Sequence, residues 1–282
     1  MATSIVSANN DEFPLSHLMP VQVIETVAAP PLPVRHEAEA DTFARHQGIP
    51  GHNQQALADA RILSVGAGGL GSWTALALVR SGARWLTIMD DDVAERSNAS
   101  RQLYFAADLG HHKSMRLIRN LAGHMVAGGL LCGIVMRFEQ AAQEFALPAD
   151  VLLVGVDNNS TRLFAVREAR RRQIPAVFTM LSPDGMRCQC FLQGPNPEDP
   201  CLWCALPNLD PDTAAPCAAA VISSCFLAAA FATFFCHRAL MGWPAGVEPY
   251  NWREDDLLGA SPPQVGRVRK RPDCAVCGKA PR

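Results

Sequence analysis

Hydrophobic positions along the chain fall into short runs separated by longer amphipathic stretches from Arg61 onward. RILSVG reads as a buried strand, AGGLGSWTALALVRSG as a glycine-rich turn running into a helix that ends near Gly82, and WLTIMD as a second strand closing on acid. The alternation continues with a helix near Lys113 to Ala122, a strand near Leu131 to Met136, and VLLVGV at 151 to 156. A helix from about Ser160 to Arg172 and the strand PAVFT at 175 to 179 follow. Strands alternating with helices predict an α/β fold: a Rossmann-like, mostly parallel sheet with helices on both faces. Beyond Met186 the pattern changes to alternating MRCQCFL, cysteine-rich loops, a long apolar helix and a polar tail.

Residues 1 to about 40 show no sustained period, and AAPPLPV at 28 to 34 favours extended backbone, so this stretch is expected to be an N-terminal extended arm. The domain then spans 41 to 282. From Thr213 to Cys236 there is no charge, which by length alone allows a membrane span. Pro216 near its start and the abundance of Ala, Ser, Thr and Cys point instead to a tightly packed core or interface helix.

Composition narrows the partners. With 25 Lys plus Arg against 27 Asp plus Glu, no global charge draws the chain to nucleic acid or an anionic membrane. At 49% hydrophobic and 18% charged residues the composition is globular. Ten cysteines in 282 residues are too dilute for a disulfide-stapled secreted scaffold, and MATSIVSANNDEF lacks the features of a signal peptide. A cytoplasmic location is expected, where paired cysteines hold metal or do chemistry.

The chemistry starts at the glycine turn. Gly66, Gly68, Gly69 and Gly71 lie between a predicted strand and a predicted helix, where glycines let the backbone approach phosphate at a helix N-terminus. The alternative is that they merely allow close helix-to-strand packing. Asp90 ends the next strand, where a carboxylate can accept ribose hydroxyls, and Asp92 is grouped with it as nucleotide-binding. Asn98, Arg101, Gln102 and Lys113 follow, two cations and two amides suited to a triphosphate. Asp157 ends VLLVGVD and stands where a carboxylate can hold magnesium against ATP oxygens. This set favours ATP chemistry over hydride transfer.

Cys201-Leu-Trp-Cys204 and Cys274-Ala-Val-Cys277 are two Cys-x-x-Cys pairs, suited to tetrahedral zinc, with redox chemistry as the alternative. Cys217, ahead of the apolar helix, is a candidate nucleophile whose thiol the helix dipole would acidify, or else a small buried hydrophobe. Cys132, Cys225 and Cys236 read as packing. Cys188 and Cys190 alternate on a strand and read as structural. The basic cluster Arg267, Arg269, Lys270 and Arg271 reads as a solvated loop or a docking surface for an acidic carrier, and His111-His112 as a cap before Lys113.

RILSVGAGGLGS, LTIMDDDVAERSNASRQ, Lys113, GVDNN and the two cysteine pairs together resemble the ThiF/MoeB-type adenylyltransferase family, related to ubiquitin-activating enzymes. The resemblance covers roughly residues 45 to 280, and its SNxxRQ hexad stands here as SNASRQ. It implies that Asp90 binds ribose, that Asn98, Arg101 and Lys113 handle phosphates, that Asp157 binds magnesium, and that the four cysteines bind zinc. It implies an arginine supplied across a homodimer, for which Arg45 in FARHQGIPG is the candidate, and a carrier-accepting cysteine at Cys217. The implied activity uses ATP to adenylate the C-terminal glycine of a small β-grasp protein. The extended arm and the short stretch from Cys204 to Cys217 favour a ubiquitin-like modifier, with a downstream conjugating enzyme as a further partner. A sulfur carrier for thiamin or molybdopterin synthesis, tRNA or peptide adenylation, and a non-catalytic nucleotide-binding scaffold are the alternatives.

Overall fold

The computed structural model describes residues 24–31, 42–210 and 219–278. In chain order the elements are β1 (Ile24–Ala29), α1 (Gln54–Asp59), β2 (Arg61–Val65), α2 (Gly69–Ser81), β3 (Trp85–Met89), α3 (Lys113–Ala122), β4 (Gly129–Ile134) and α4 (Phe138–Glu144). They continue with β5 (Val151–Val154), α5 (Asn159–Arg172), β6 (Ala176–Leu181), β7 (Arg187–Gln193), α6 (Leu202–Ala205), α7 (Ile222–Met241), β8 (Trp252–Asp256) and β9 (Gln264–Gly266).

The nine described strands form one sheet in the order β1-β4-β3-β2-β5-β6-β7-β8-β9. The central five, β4, β3, β2, β5 and β6, run parallel. β1 joins β4 antiparallel, and β7, β8 and β9 continue antiparallel beyond β6. Both faces of the centre are covered, which is why β5 is buried at every position and its sequence is a continuous apolar run. One core packs Ile62, Leu86, Ile88 and Leu131 against α2, α3 and α7; the other packs Leu63, Leu152 and Phe178 against α4, α5 and α6. β2 lies between β3 and β5, so the sheet order reverses there. Ligands bind at such a switch point, outside the carboxyl ends of the strands. The turns after β2 and β5 therefore share one crevice.

Most expected elements coincide with observed ones. α3 spans the expected residues, and α5 starts at Asn159 because the Asn158 side chain accepts from the Thr161 N–H and caps it. Within the stretch read as an arm, Ile24–Ala29 is an edge strand, fixed by its ladder with β4 and by Glu25, whose carboxylate accepts from Arg119 Nε at 2.6 Å. α4, β8 and β9 also lie outside the predicted set. α7 is long and apolar enough to cross a membrane, and 56% of that apolar window is buried. It packs on α2, β6 and β7, with Phe235 and Cys236 fully buried and Ile222, Phe226 and Phe234 left exposed.

Candidate active site and cysteine cluster

The turn after β2 is built from backbone contacts that leave no room for a side chain at Gly66 or Gly71. Gly66 sits at φ 96° and donates its N–H to Met89 O at 2.8 Å. A Cβ on Gly66 would lie 2.8 Å from Gly155 O, and one on Gly71 only 1.9 Å from Gly66 O. The end of β5, the turn and the start of α2 are thus in direct backbone contact. Gly68 caps α2 without a side-chain hydrogen bond, so no cap side chain covers the first N–H groups of this helix.

The acid and the SNASRQ segment close over that turn. Asp90 Oδ2 accepts from the Ala67 N–H at 2.7 Å and Oδ1 from the Asp92 N–H at 2.9 Å. Burial pushes the Asp90 carboxyl up to about 6, against the opposing pull of Lys113 and these two N–H groups. Lys113 Nζ donates to Asp92 Oδ2 at 2.7 Å, and its own side chain is largely buried. Asp92 therefore holds the lysine in place. Asn98 is buried, and its Oδ1 accepts from the Glu95 N–H at 2.9 Å, so it shapes the turn that presents its neighbours. Arg101 Nη1 donates to Ser97 O at 2.8 Å, and Trp73 Nε1 donates to Arg101 O at 2.9 Å. A Cβ on Gly69 would lie 3.5 Å from Arg101 O, and one on Gly68 3.8 Å from Gln102 Nε2, so this segment lies directly against the glycine turn. Gln102 Oε1 is buried with no partner among the described residues.

Two residues that the sequence did not single out hold this arrangement. The Tyr104 hydroxyl donates to Ala67 O at 2.7 Å and lies 3.3 Å from Lys113 O, joining the glycine turn to the start of α3. Arg162 is buried, donating from Nη2 to Val156 O at 2.7 Å and from Nη1 to Asn159 Oδ1 at 2.6 Å. Asn159 Nδ2 in turn donates to Asp210 O at 3.0 Å. Asp157 lies between these anchors, exposed just beyond β5. Burial lowers the Arg162 pKa to about 10, and the nearby Asp157 charge counteracts this. Arg162→Met removes two charge-assisted hydrogen bonds and leaves Val156 O unpaired, and is expected to cost about 2–4 kcal/mol. Urea unfolding is the check; an unchanged midpoint would refute the clamp.

Other candidates are not brought to the crevice within one chain. Arg45 is exposed on a single 3-10 turn, Ala44–His46. Neighbouring Phe43 lies over Gly82, and Gln54 donates to Ser81 O at 2.8 Å. These contacts are at the far end of α2, whose 13 residues span roughly 20 Å. Cys217 lies outside the described residues. The thiol found at the turn is Cys225: a Cβ on Gly69 would lie 2.8 Å from its Sγ. Burial raises the Cys225 pKa while Arg101 lowers it. Cys188 and Cys190 are fully buried, and Cys188 Sγ donates to Ser224 O at 3.3 Å. His112 takes the N-cap position of α3 but makes no side-chain cap bond.

The two cysteine pairs meet. Sγ atoms are 4.0 Å apart for Cys201 and Cys204, 3.6 Å for Cys201 and Cys274, and 3.4 Å for Cys204 and Cys277. All four lie within 4.8 Å of one another. A tetrahedron with zinc–sulfur bonds of about 2.3 Å has edges of about 3.8 Å, so the cluster fits zinc. The Arg271 N–H donates to Cys204 Sγ at 3.4 Å, as expected of a thiolate ligand's surroundings. The adjacent basic run is partly engaged: Lys270 Nζ donates to Pro197 O at 2.9 Å, and Arg271 pairs with Asp273 at 2.7 Å.

The chain is similar to several known proteins. The sulfur carrier protein adenylyltransferase of Thermus thermophilus is 28% identical over 266 residues, covering 86% of this chain and 92% of that protein. The SAMP-activating enzyme E1 of Haloferax volcanii is 26% identical over 251 residues, covering 86% of this chain and 90% of the enzyme. The probable adenylyltransferase/sulfurtransferase MoeZ of Mycobacterium tuberculosis is 33% identical over 132 residues, and the match spans 44% of this chain but only 33% of MoeZ. Among solved structures, the microcin C7 biosynthetic enzyme MccB in complex with N-formylated MccA shares the fold. That match has a TM-score of 0.68 at 18% identity and covers 80% of this chain and 69% of MccB. Residues 42–274 match the ThiF family, so a chain with this glycine turn, SNASRQ segment and strand-end aspartate belongs to the ThiF family.

Proposed function

We propose that the chain is an adenylyltransferase that uses ATP to activate the C-terminal glycine carboxylate of a small β-grasp carrier protein. A carboxylate oxygen attacks the α-phosphorus, the bond from that phosphorus to the bridging oxygen breaks, and acyl-adenylate and pyrophosphate result. One observation supports this reading above the rest: an N-terminal end of α2 without a side-chain cap, the Asp90 carboxylate tied to the glycine turn, the cations Arg101 and Lys113 on the segments beside that turn, and the exposed Asp157 just beyond β5 are all at the carboxyl ends of the central strands. Displacement at phosphorus needs this combination of positioning and charge stabilisation.

Asp157 would hold Mg2+, which when bound neutralises phosphate charge; Asp92 is already paired with Lys113 and would act through it. The four cysteines would hold structural zinc. Arg45, exposed and remote from the crevice of its own chain, would act across a homodimer, and the Cys217 thiolate would attack the acyl-adenylate carbonyl, breaking its bond to the phosphate oxygen to form a thioester and release AMP. The carrier class follows the two relatives matched along nearly their whole length, one named for a sulfur carrier and one for SAMP activation. A sulfur carrier fits these names best. A ubiquitin-like modifier passed to a conjugating enzyme would use the same adenylation site.

The test is exchange of labelled pyrophosphate into ATP with purified chain and either a sulfur-carrier or a ubiquitin-like β-grasp protein ending in Gly-Gly. Exchange with one and not the other identifies the carrier; exchange with neither overturns the carrier class. Asp157→Ala is expected to reduce exchange by about 100-fold or more. Undiminished exchange in that variant would remove the magnesium role from Asp157.

A further inference from the structure

At the opposite end of α2 and α7 from the glycine turn, a cavity of about 400 Å³ opens between residues 46–52, the end of α7 and residues 243–250. Phe234, Trp243 and Tyr250 form an aromatic wall: Phe234 and Tyr250 stack with centroids 6.0 Å apart, and Trp243 and Tyr250 lie 4.6 Å apart. His46, His52, His237, Arg238 and the apolar Val247 also line it. Two buried polar atoms here have no partner among the described residues. Arg238 is 7% exposed; it donates from Nη2 to Gly51 O at 3.1 Å, but its Nε is buried without a partner among the described residues. The Nε2 atom of His237 is equally unpaired.

Two of the histidines are locked. His46 Nδ1 and His52 Nε2 meet the Gln54 Oε1 atom at 2.8 and 3.0 Å, while Gln54 Nε2 donates to Ser81 O at 2.8 Å. A carbonyl oxygen can only accept, so the Gln54 amide has one orientation and both imidazoles donate to its oxygen. None of the described lining residues is acidic. A guanidinium and three imidazoles therefore share a largely apolar space with no counter-charge. That crowding is visible at His237, whose pKa is pushed down to about 4 by burial and by His52, Arg238 and His46. A cation would meet the Arg238 charge and find two imidazole nitrogens already committed to Gln54. An anion would relieve the imbalance.

We propose that this cavity binds a small monocarboxylate with a flat apolar body, its carboxylate on Arg238 and its ring against Trp243 and Tyr250. One permanent cation suits one negative charge, and a planar guanidinium suits a planar carboxylate. The volume lies at the lower end of the range of small-molecule sites. The assignment does not rest on the adenylation chemistry, and its His46 shares a turn with Arg45, the residue proposed to act across the homodimer.

Calorimetric titration of the full chain with phenylacetate, and with its neutral isostere phenylacetamide, tests this. Phenylacetate, about ten heavy atoms, is expected to bind with a Kd of about 1 mM or tighter, and the amide about tenfold more weakly. Arg238→Met should weaken phenylacetate to the level of the amide and leave the amide unchanged. Because Arg238 also holds Gly51, Val247→Trp serves as a second variant that fills the cavity, keeps Arg238 and should abolish binding of both. Absence of saturable binding by the unaltered chain, equal affinity for acid and amide, or unchanged binding in Val247→Trp would each overturn the assignment.

Discussion

Gly71→Ala is expected to destroy the nucleotide crevice and most of the stability of the fold around it. The added Cβ would lie 1.9 Å from Gly66 O and 2.8 Å from Gly66 C, both backbone atoms of the preceding turn. No rotamer change relieves such a clash, so α2 must move off the end of β2 by on the order of 1 Å in a core packed like a crystal. Overpacking of this kind costs about 3 kcal/mol or more. The movement also takes the helix N-terminus out of register with Asp90, which is tied to Ala67. Gly68→Ala is the control, because a Cβ there meets nothing nearer than Gln102 Nε2 at 3.8 Å. Thermal unfolding should separate the two variants, with Gly68→Ala close to the unaltered chain. Equal midpoints would show that the contact between Gly66 and Gly71 does not constrain the turn.

Removing metal from the cysteine cluster is expected to have an effect of similar size at the other end of the chain. If zinc fills the site, elemental analysis finds one zinc per chain, and a strong chelator or Cys204→Ser lowers the thermal midpoint by on the order of 10 °C. The four sulfurs join α6 to the segment carrying Cys274 and Cys277, which is otherwise held by Lys270 on Pro197 O and Glu198, by paired hydrogen bonds between Val268 and Asn251, and by Val268 and Val276 packed against the core. Bare thiols at 3.4–4.0 Å separations have only weak S–H···S hydrogen bonds to replace the metal. Protein purified without metal and unchanged in midpoint would make the cluster a packing feature. A disulfide under oxidation, with zinc absent, would favour redox chemistry.

The centre of the fold is legible in the sequence because it obeys simple periods. β2, β3, β5 and β6 are apolar runs covered on both faces, and Gly66 to Gly71 can only be a tight turn. The edges are not legible for the same reason in reverse. β8 reads WREDD, a strand whose Arg253 guanidinium lies 4.5 Å from the Phe231 ring centroid and bonds Asp255, so its stability comes from partners that no local pattern shows. β1 is six residues long next to prolines and gains its structure from β4 and Arg119. Within the candidate site, Asp90, Arg101, Lys113 and Asp157 announce chemistry by residue type alone, and the fold puts them at the carboxyl ends of the strands or on the segments that follow. Tyr104 and Arg162 announce nothing, because their role is to hold backbone carbonyls, and an isolated Tyr or Arg carries no signal of that. Cys225 reads as packing in the sequence and is buried, but its place beneath Gly69 depends on a long-range contact between α7 and α2.

A nine-stranded sheet has two open edges, each a row of unpaired backbone groups that another chain could extend. Here β9 is three residues long and ends at Gly266, while β1 is followed by Pro30 and Pro31. Among the described residues, β9 offers another chain only three positions to pair with, and Pro30 and Pro31 stop β1 from extending past six. The short β9 and the prolines after β1 thus limit edge-to-edge aggregation, at the cost of leaving the sheet's ends dependent on ion pairs and side-chain contacts for their own order.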